Sequence, residues 1–146
     1  MVDIHSYSND SGIYGIYIDN ALVYVGRAKN FHMRFNAHTN NIRHEERFWY
    51  PLAREFDKRG HSIVAKILEI VPMENIVAKE LDYIIKYNPI FNKEGCPEDK
   101  VVPTDYDAAV EILGISYHPP IEEIKIEWPK ESWFGETYVF RRWKNK

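Results

Sequence analysis

Two short apolar runs, separated by a polar pair, lie between residues 12 and 26. This segment is rich in β-branched, aromatic and aliphatic residues, which favour β-strands. Asp19 and Asn20 interrupt the apolar run, and this pair suits a tight two-residue turn. The pattern therefore predicts a β-hairpin.

After the hairpin, the pattern predicts three helices and one further strand. Asn30 can cap the first helix, Gly60 ends the second, and Pro89 ends the third. The helices are expected at about 30–40, 45–59 and 74–87, and the strand at 61–71, closed by Pro72. These elements predict an α+β fold, with a small three-stranded antiparallel sheet flanked by helices.

The C-terminal third has a pattern of its own. Residues 93–100 have the composition of a linker, and the hydrophobic pattern of the first part is complete by Phe91. A short helix is predicted at 106–113, ending at Gly114, and two strands at 122–128 and 137–143. We therefore expect a first domain at 1–95 and a small α+β extension at 96–146. A segment of about 50 residues folds poorly alone without disulfides or metal, so we expect the extension to pack on the first domain.

The aromatic residues of the extension are interpreted as its core. Base stacking is the less favoured alternative. The residues concerned are Trp128, Trp133, Phe134 and Trp143.

Glu80 stands out on the third predicted helix. At about 100° per residue, it falls in the middle of the apolar stripe, where the helix should meet the sheet. Apolar residues flank it on both sides of the helix; they are Ile76, Val77, Leu81, Tyr83, Ile84 and Tyr87. A buried carboxylate is costly unless it is paired or binds a metal. Both alternatives, an ion pair with an arginine and a metal ligand in a cleft, are open.

Arg34 and His38 are spaced i, i+4 and share one face of the first predicted helix. They border its apolar face, beside Phe31 and Phe35. An arginine beside a histidine suits phosphate recognition and proton transfer. Such pairs are also common on protein surfaces, so the pair alone decides little.

Composition and charge narrow the class of protein. Hydrophobic residues make up 45% of the 146 residues, enough for a folded core. Cys96 is the only cysteine, which rules out an internal disulfide and a cysteine-rich zinc site. The sequence has no apolar run of about 18 residues, and residues 1–5 do not have the basic and then apolar pattern of a signal region. We expect a soluble, cytoplasmic protein.

The net charge of −3 argues mildly against nucleic-acid binding, but the charge is unevenly distributed. Residues 27–66 carry nine Lys/Arg against four Asp/Glu, whereas residues 97–146 carry seven against ten. The basic stretch suits a phosphate backbone, and an ordinary solvated surface explains it equally well.

Several short motifs in the first domain resemble those of the GIY-YIG nuclease family. Gly12-Ile13-Tyr14 and Tyr24-Val25-Gly26 resemble the two motifs that name the family, with a hairpin one residue shorter than usual. Arg34 and His38 stand where the family places a catalytic arginine and, one turn later, a histidine. Residues 80–92 resemble its pattern E-x-x-x-I-x-x-Y-x-P-x-x-N. The resemblance covers about residues 11–93.

The resemblance implies a GIY-YIG nuclease fold and a metal-dependent nuclease that cuts DNA. Glu80 would bind one Mg²⁺, for which Mn²⁺ is expected to substitute, together with water and phosphate oxygens. Arg34 would hold the phosphate, and either Tyr14 or Tyr24 would help to deprotonate the attacking water. His38 would orient the tyrosine or water, or relay a proton, and Asn92 would brace the site.

Other basic residues are weaker candidates. Arg27, Lys29, Arg43 and Arg47 are expected to contact the DNA backbone. Arg54, Lys58 and Arg59 are interpreted either as further backbone contacts or as solvated helix positions. His32, His44 and His61 show no metal-ligand spacing and are expected at the surface.

The favoured function is a divalent-metal-dependent DNA endonuclease of mobile-element, phage or restriction type. The alternative is a catalytically silent module on this fold that binds DNA or protein, acting as a subunit or inhibitor-like partner. The acidic extension suits a homodimer contact or a protein partner better than a long DNA contact.

Overall fold

The structure, a computed structural model, describes residues 2–127 and 137–143, with side chains as far as residue 120. Its strands are β1 (Val2–Asp3), β2 (Gly12–Ile18), β3 (Ala21–Ala28), β4 (Ile63–Ile70), β5 (Ile121–Glu127) and β6 (Thr137–Trp143). Its helices are α1 (Phe31–His44), α2 (Tyr50–Lys58), α3 (Ile76–Tyr87) and α4 (Tyr106–Leu113), and a 3₁₀ turn at Met73–Asn75 precedes α3.

The main sheet has four strands in the order β1-β4-β2-β3. Strand β2 is antiparallel to both β3 and β4, as expected, whereas β1 is parallel to β4. The α+β class is confirmed. The expected number of three strands is wrong, because β1 adds a fourth strand at the edge of the sheet. Two residues are too few to show a periodic pattern, and a parallel partner 61 positions away leaves no local signal.

The β2–β3 hairpin forms through the predicted tight turn. Asp19 and Asn20 both have positive φ, at 48° and 69°, as a two-residue type I′ turn requires. The resulting register sets Tyr14 opposite Gly26. The shorter hairpin therefore still aligns the two sequence motifs across neighbouring strands.

Two helix boundaries differ from the prediction. Asn30 caps α1 by accepting a hydrogen bond from the Met33 N–H, and α1 continues to His44 instead of ending near Asn40. Helix α2 begins at Tyr50, with Pro51 in its first turn, and not at Glu45. Residues 45–49 are thus a loop between the two helices.

The hydrophobic core does not end at Phe91. Tyr106, Ala109 and Val110 of α4 are buried in the same cluster as the aromatic residues of α1 and α2. The expectation that the first part has a complete core is therefore wrong, and part of the expected extension closes it. Strands β5 and β6 pair with each other.

The side chains of the expected C-terminal aromatic core lie outside the described residues. Trp128, Trp133 and Phe134 are among residues 128–136, and of Trp143 only the backbone is described. Within residues 2–127 and 137–143, no helix is both long enough and apolar enough to cross a membrane.

His61 is buried, so its expected place at the surface is wrong. Its Nδ1 bonds the Asp19 carboxylate, its Nε2 bonds the Tyr106 hydroxyl, and its ring stacks on His118 at 3.8 Å. These partners come from the hairpin turn and the C-terminal segment. Neither neighbours His61 in the sequence, so no local pattern reveals the contact.

Arg54 and Arg59 have largely buried side chains with protein partners, so their interpretation as solvated helix positions is wrong. Arg54 donates to the carbonyls of Ile42 and Glu45, which end α1. Arg59 donates to Glu55, Tyr117 and the His118 carbonyl, and its guanidinium lies 4.0 Å from the centre of the Tyr106 ring. Both side chains therefore join elements to each other.

Candidate active site

Tyr14 and Tyr24 lie on adjacent strands with their ring centres 6.3 Å apart. Tyr14 is fully buried and packs edge-on against Phe35. Opposite it, a Cβ on Gly26 would lie 2.4 Å from the Tyr14 hydroxyl and 2.9 Å from the Tyr24 ring. The glycine of the second motif is required because the tyrosine of the first motif lies directly over it.

A chain of hydrogen bonds runs behind Tyr14. The Arg34 Nε–H donates to the Tyr14 hydroxyl at 3.3 Å, and that hydroxyl donates to His38 Nε2 at 2.5 Å. The Nδ1–H of His38 then donates to the Tyr50 hydroxyl at 3.1 Å. We assign this direction because, of the two groups bonded to the Tyr14 hydroxyl, only His38 can accept its proton; the Arg34 Nε–H can only donate. The i, i+4 pair of α1 is therefore joined through Tyr14.

Burial determines the protonation states of the residues in this series of hydrogen bonds. It lowers the pKa of His38 to about 3, and the neighbouring Arg34 charge acts in the same direction. Burial also raises the pKa of Tyr14 far above its usual value, an effect that Tyr24 reinforces and Arg34 opposes. At neutral pH both His38 and Tyr14 are uncharged, and Arg34 is the cation of the cluster.

A cleft of about 890 Å³ opens in front of this cluster. Tyr24 of β3, Arg34 of α1 and Glu80 of α3 all line it, whereas Tyr14 lies behind them. Burial raises the pKa of Tyr24; the Arg34 charge opposes this shift, and the Glu80 charge adds to it. Of the two tyrosines, Tyr24 is the one that faces the cleft.

Glu80 lies one turn from each of the two buried residues of α3, Ile76 and Ile84. Its side chain is 16% exposed, and Oε1 accepts a hydrogen bond from Arg27 Nη1 at 2.8 Å. The ion pair foreseen as one alternative is thus present, and it lies in a cleft, as the other alternative requires.

The expected apolar stripe around Glu80 is only partly buried. Val77 is 59% exposed and Leu81 is 42% exposed, and both line the cleft. Helix α3 packs against the sheet through Ile76 and Ile84, which lie on either side of Glu80. Periodicity located the stripe, but it could not show which edge faces the cleft.

Asn92 joins the end of the α3 segment to β3. Its Oδ1 accepts from the Val25 N–H at 2.8 Å, and its Nδ2 donates to the Val25 carbonyl at 2.9 Å. The Phe91 N–H donates to the Val23 carbonyl beside it. This pairing fixes the segment that follows the Glu80 helix onto the strand that carries Tyr24.

The four basic residues expected at DNA are dispersed. Arg27 lines the cleft, whereas Lys29, Arg43 and Arg47 are exposed outside its lining. Arg47 pairs with Glu45. Of these four residues, the structure therefore places only Arg27 in the cleft with Tyr24, Arg34 and Glu80.

Sequence reasoning missed the aromatic run Phe48-Trp49-Tyr50, all of which lines the cleft. Tyr50 holds His38, and the Trp49 ring lies 5.0 Å from that of Tyr24 and 5.6 Å from that of His38. Three consecutive aromatic residues before Pro51 are a visible signal. The orientation of these three side chains depends on the loop before α2, and the sequence pattern had assigned that loop to a helix.

Among the described side chains, Asp19, His61 and His118 form the one cluster with three close potential metal-ligand atoms. Both ring nitrogens of His61 already contact Asp19 and Tyr106, and the two imidazole rings stack nearly parallel, at 11°. None of the three residues lines the cleft. We interpret this cluster as a structural contact between the hairpin turn and the C-terminal segment.

Comparison with known proteins identifies the family. The family model of the GIY-YIG catalytic domain matches residues 11–94, more than half of the chain. The chain therefore belongs to the GIY-YIG nuclease family.

Among solved structures, the chain is similar to the GIY-YIG N-terminal endonuclease domain of UvrC from Thermotoga maritima, a point mutant bound to its catalytic divalent cation. The identity is 17% and the TM-score 0.43, over 60% of this chain and 87% of that domain. No curated protein matches the chain in sequence.

Proposed function

We infer that this chain is a divalent-metal-dependent endonuclease that hydrolyses DNA phosphodiester bonds, of mobile-element, phage or restriction type. The observation that supports this most strongly is the cleft, in which Tyr24, Arg34 and Glu80 meet from three separate elements. A phenol, a guanidinium and a carboxylate are the groups that a phosphodiester hydrolase of this family would use.

Arg34 would bind the scissile phosphate. Its guanidinium forms charge-assisted hydrogen bonds to phosphate oxygens, and its Nε is already held by Tyr14. A donor fixed before the reaction stabilises the developing negative charge without reorganising. Tyr14 and His38 are then positioning residues, since both are buried and act on the substrate through Arg34.

Tyr24 would hold the attacking water, because it is the tyrosine that lines the cleft. It would accept the proton of that water as the phenolate, after releasing its own phenolic proton to solvent. The Glu80 charge raises the pKa of Tyr24, whereas Arg34 lowers it. Neutralising the charge at Glu80 would therefore favour Tyr24 as a base. His38, with both ring nitrogens bonded to tyrosine hydroxyls, would orient Tyr14 and would not contact water.

Glu80 would hold the metal ion, for which Mg²⁺ is the proposed identity. The donor set fits, because one carboxylate facing an open cleft can bind Mg²⁺ together with waters and phosphate oxygens. When bound, such a cation stabilises charge on the phosphate and on the leaving oxygen. Arg27, which bonds Glu80 Oε1, would transfer its hydrogen bond to the DNA phosphate.

The alternative, a catalytically silent DNA- or protein-binding module, draws support from the same ion pair. With Arg27 bonded to Glu80, the carboxylate already has a partner without any metal. The two functions are separated by incubating the protein with supercoiled plasmid, with and without Mg²⁺. Nicked or linear plasmid that forms only with metal supports the nuclease; shifted but intact plasmid supports the silent module.

A further inference from the structure

Phe48 is an exposed aromatic side chain on a strained backbone. Its φ is +58°, an uncommon conformation for a bulky residue. Its side chain is 79% exposed, although the next two residues, Trp49 and Tyr50, are buried. Backbone strain of this kind clusters at binding and active sites, and here it directs a large apolar group into solvent.

The loop that carries Phe48 is held in place at several points. Arg54 donates to the Glu45 carbonyl and to the Glu46 carboxylate. Arg47 pairs with Glu45, and its guanidinium lies 5.7 Å from the centre of the Phe48 ring. The bonds from Arg54 therefore join this loop to α2 directly before Phe48.

The cleft beside Phe48 combines apolar surface with cations. Phe48 lines it together with the exposed Val77 and Leu81 of α3, and Arg34 and Lys100 line it as well. A sugar–phosphate backbone needs the cations but gains nothing from the apolar wall. A nucleobase has an apolar face that stacks on aromatic side chains, and about 890 Å³ has room for a nucleotide beyond the scissile phosphate.

We propose that Phe48 is a specificity-determining residue that stacks on an unpaired base next to the cut, so that the substrate class is DNA with an unpaired nucleotide at the cleavage site. This inference rests on the proposed function, which places the phosphate at Arg34 and Glu80. A base inside an intact duplex shows only its edges in the grooves. Only an unstacked base can offer its face to Phe48.

Equilibrium binding to two labelled DNAs tests the proposal in a chelator, where cleavage is suppressed. One DNA is a fully paired duplex, and the other is the same duplex with one unpaired 2-aminopurine nucleotide. The full chain should bind the second DNA more tightly and quench its fluorescence. Phe48→Ala should weaken that binding by about five-fold to about a hundred-fold, the range for loss of one base–aromatic stack, and change binding to the paired duplex little.

Three variants make the result specific. Phe48→Trp should keep the preference, because it retains an aromatic face. Phe48→Gly should lose the preference while thermal unfolding is unchanged or occurs at a higher temperature, because glycine accepts positive φ. Tyr7→Ala removes an aromatic residue that is 89% exposed outside the cleft lining, and it should change nothing.

Equal affinity of the wild type for the two DNAs, no binding to either, or an undiminished preference in Phe48→Ala would each overturn the proposal; the last would assign Phe48 to another partner, such as a protein. The proposed function is tested separately. If the protein prefers the DNA with the unpaired nucleotide but shows no metal-dependent cleavage, the nuclease is contradicted and the stacking role stands. If it cleaves DNA but shows no such preference, the stacking role is contradicted and the nuclease stands.

Discussion

At the scale of single residues, Glu80 is the sequence feature for which two explanations were offered, and the structure shows one of them. A carboxylate on an apolar stripe suggested either an ion pair or a metal site. The structure shows the ion pair with Arg27 at 2.8 Å, inside the cleft where a metal would bind. The pair keeps the carboxylate partnered in the absence of metal, which avoids the free-energy cost of an unpaired, partly buried charge.

Arg34→Ala should lower the cleavage rate by about 10²- to 10³-fold, the usual effect of removing a donor that acts on the transition state. Its effect on DNA affinity should be several-fold at most. Single-turnover cleavage and equilibrium binding measured side by side check this. Arg34→Lys should recover little activity, since lysine keeps the charge but cannot reproduce the planar fork. A normal rate with greatly weakened binding would make Arg34 a binding residue only.

Gly26→Ala should disturb the site more than a single methyl group suggests. The added Cβ would lie 2.4 Å from the Tyr14 hydroxyl and 2.5 Å from the ring carbon that carries it. Overpacking of this kind typically costs about 1–3 kcal/mol. Urea unfolding should show that loss, and the cleavage rate should fall with it. Unchanged stability together with unchanged cleavage would mean that the two tyrosines can move apart freely.

At the scale of elements, α1 carries a hydrogen-bonded cluster that should make stability depend on pH. His38 of α1 faces Tyr14 of β2, Tyr24 of β3 and Tyr50 of α2, with Arg34 one turn away. Its pKa of about 3 lies below the unfolded value near 6.5. A lowered pKa means that the unfolded chain takes up the proton first, so stability falls as pH falls from about 6.5 towards 3.

Between pH 7 and pH 5, His38 should account for a loss of about 2 kcal/mol in the free energy of unfolding. Comparing wild type with His38→Gln isolates this effect, because glutamine does not titrate and its amide can still bond both tyrosines. Tyr50→Phe is the control, since it removes a bond to His38 and leaves the imidazole in place. The same pH slope in His38→Gln as in wild type would contradict the neutral, buried histidine.

Elements were predictable from sequence where the deciding contacts are local. The hairpin follows from Asp19 and Asn20, and the start of α1 from Asn30, because turn and cap preferences act within a few residues. The edge strand β1, the burial of His61 and the contact of Tyr50 with His38 depend on partners far along the chain. For the candidate site, the motifs identified the residues, and the structure was needed to show that Tyr24 faces the cleft and Tyr14 does not.

At the scale of the whole molecule, the hydrophobic core crosses the domain boundary that was expected at residue 95 and includes residues of α4. Tyr106 packs on Phe56 with ring centres 4.8 Å apart and bonds His61. Lys100, Val102 and Thr104 line the cleft. We propose that residues 96–118 work with the nuclease domain, and that the hairpin of β5 and β6 sets what the enzyme acts on, through a dimer contact or a protein partner.

Two truncations test this division. A chain ending after Pro120 should fold and keep metal-dependent cleavage of generic DNA, because α4 and its buried residues remain. A chain ending after Asp99 should be strongly destabilised, because it loses Tyr106, and deleting one buried aromatic side chain typically costs about 3–5 kcal/mol. Thermal unfolding and plasmid cleavage check both. Loss of all cleavage in a well-folded 1–120 chain would place β5 and β6 in catalysis or essential DNA binding.

The central claim, a metal-dependent nuclease site built around Glu80, is tested most directly by plasmid cleavage with one matched pair of variants. Glu80→Gln and Glu94→Gln each remove one carboxylate from the lining of the same cleft. In Mg²⁺, Glu80→Gln should lose cleavage by on the order of 10²-fold or more, with an unchanged circular-dichroism spectrum, whereas Glu94→Gln and wild type should cleave alike. Excess chelator should abolish cleavage by wild type and by Glu94→Gln. Cleavage by Glu80→Gln at the wild-type rate, or wild-type cleavage that persists in chelator, would contradict the account.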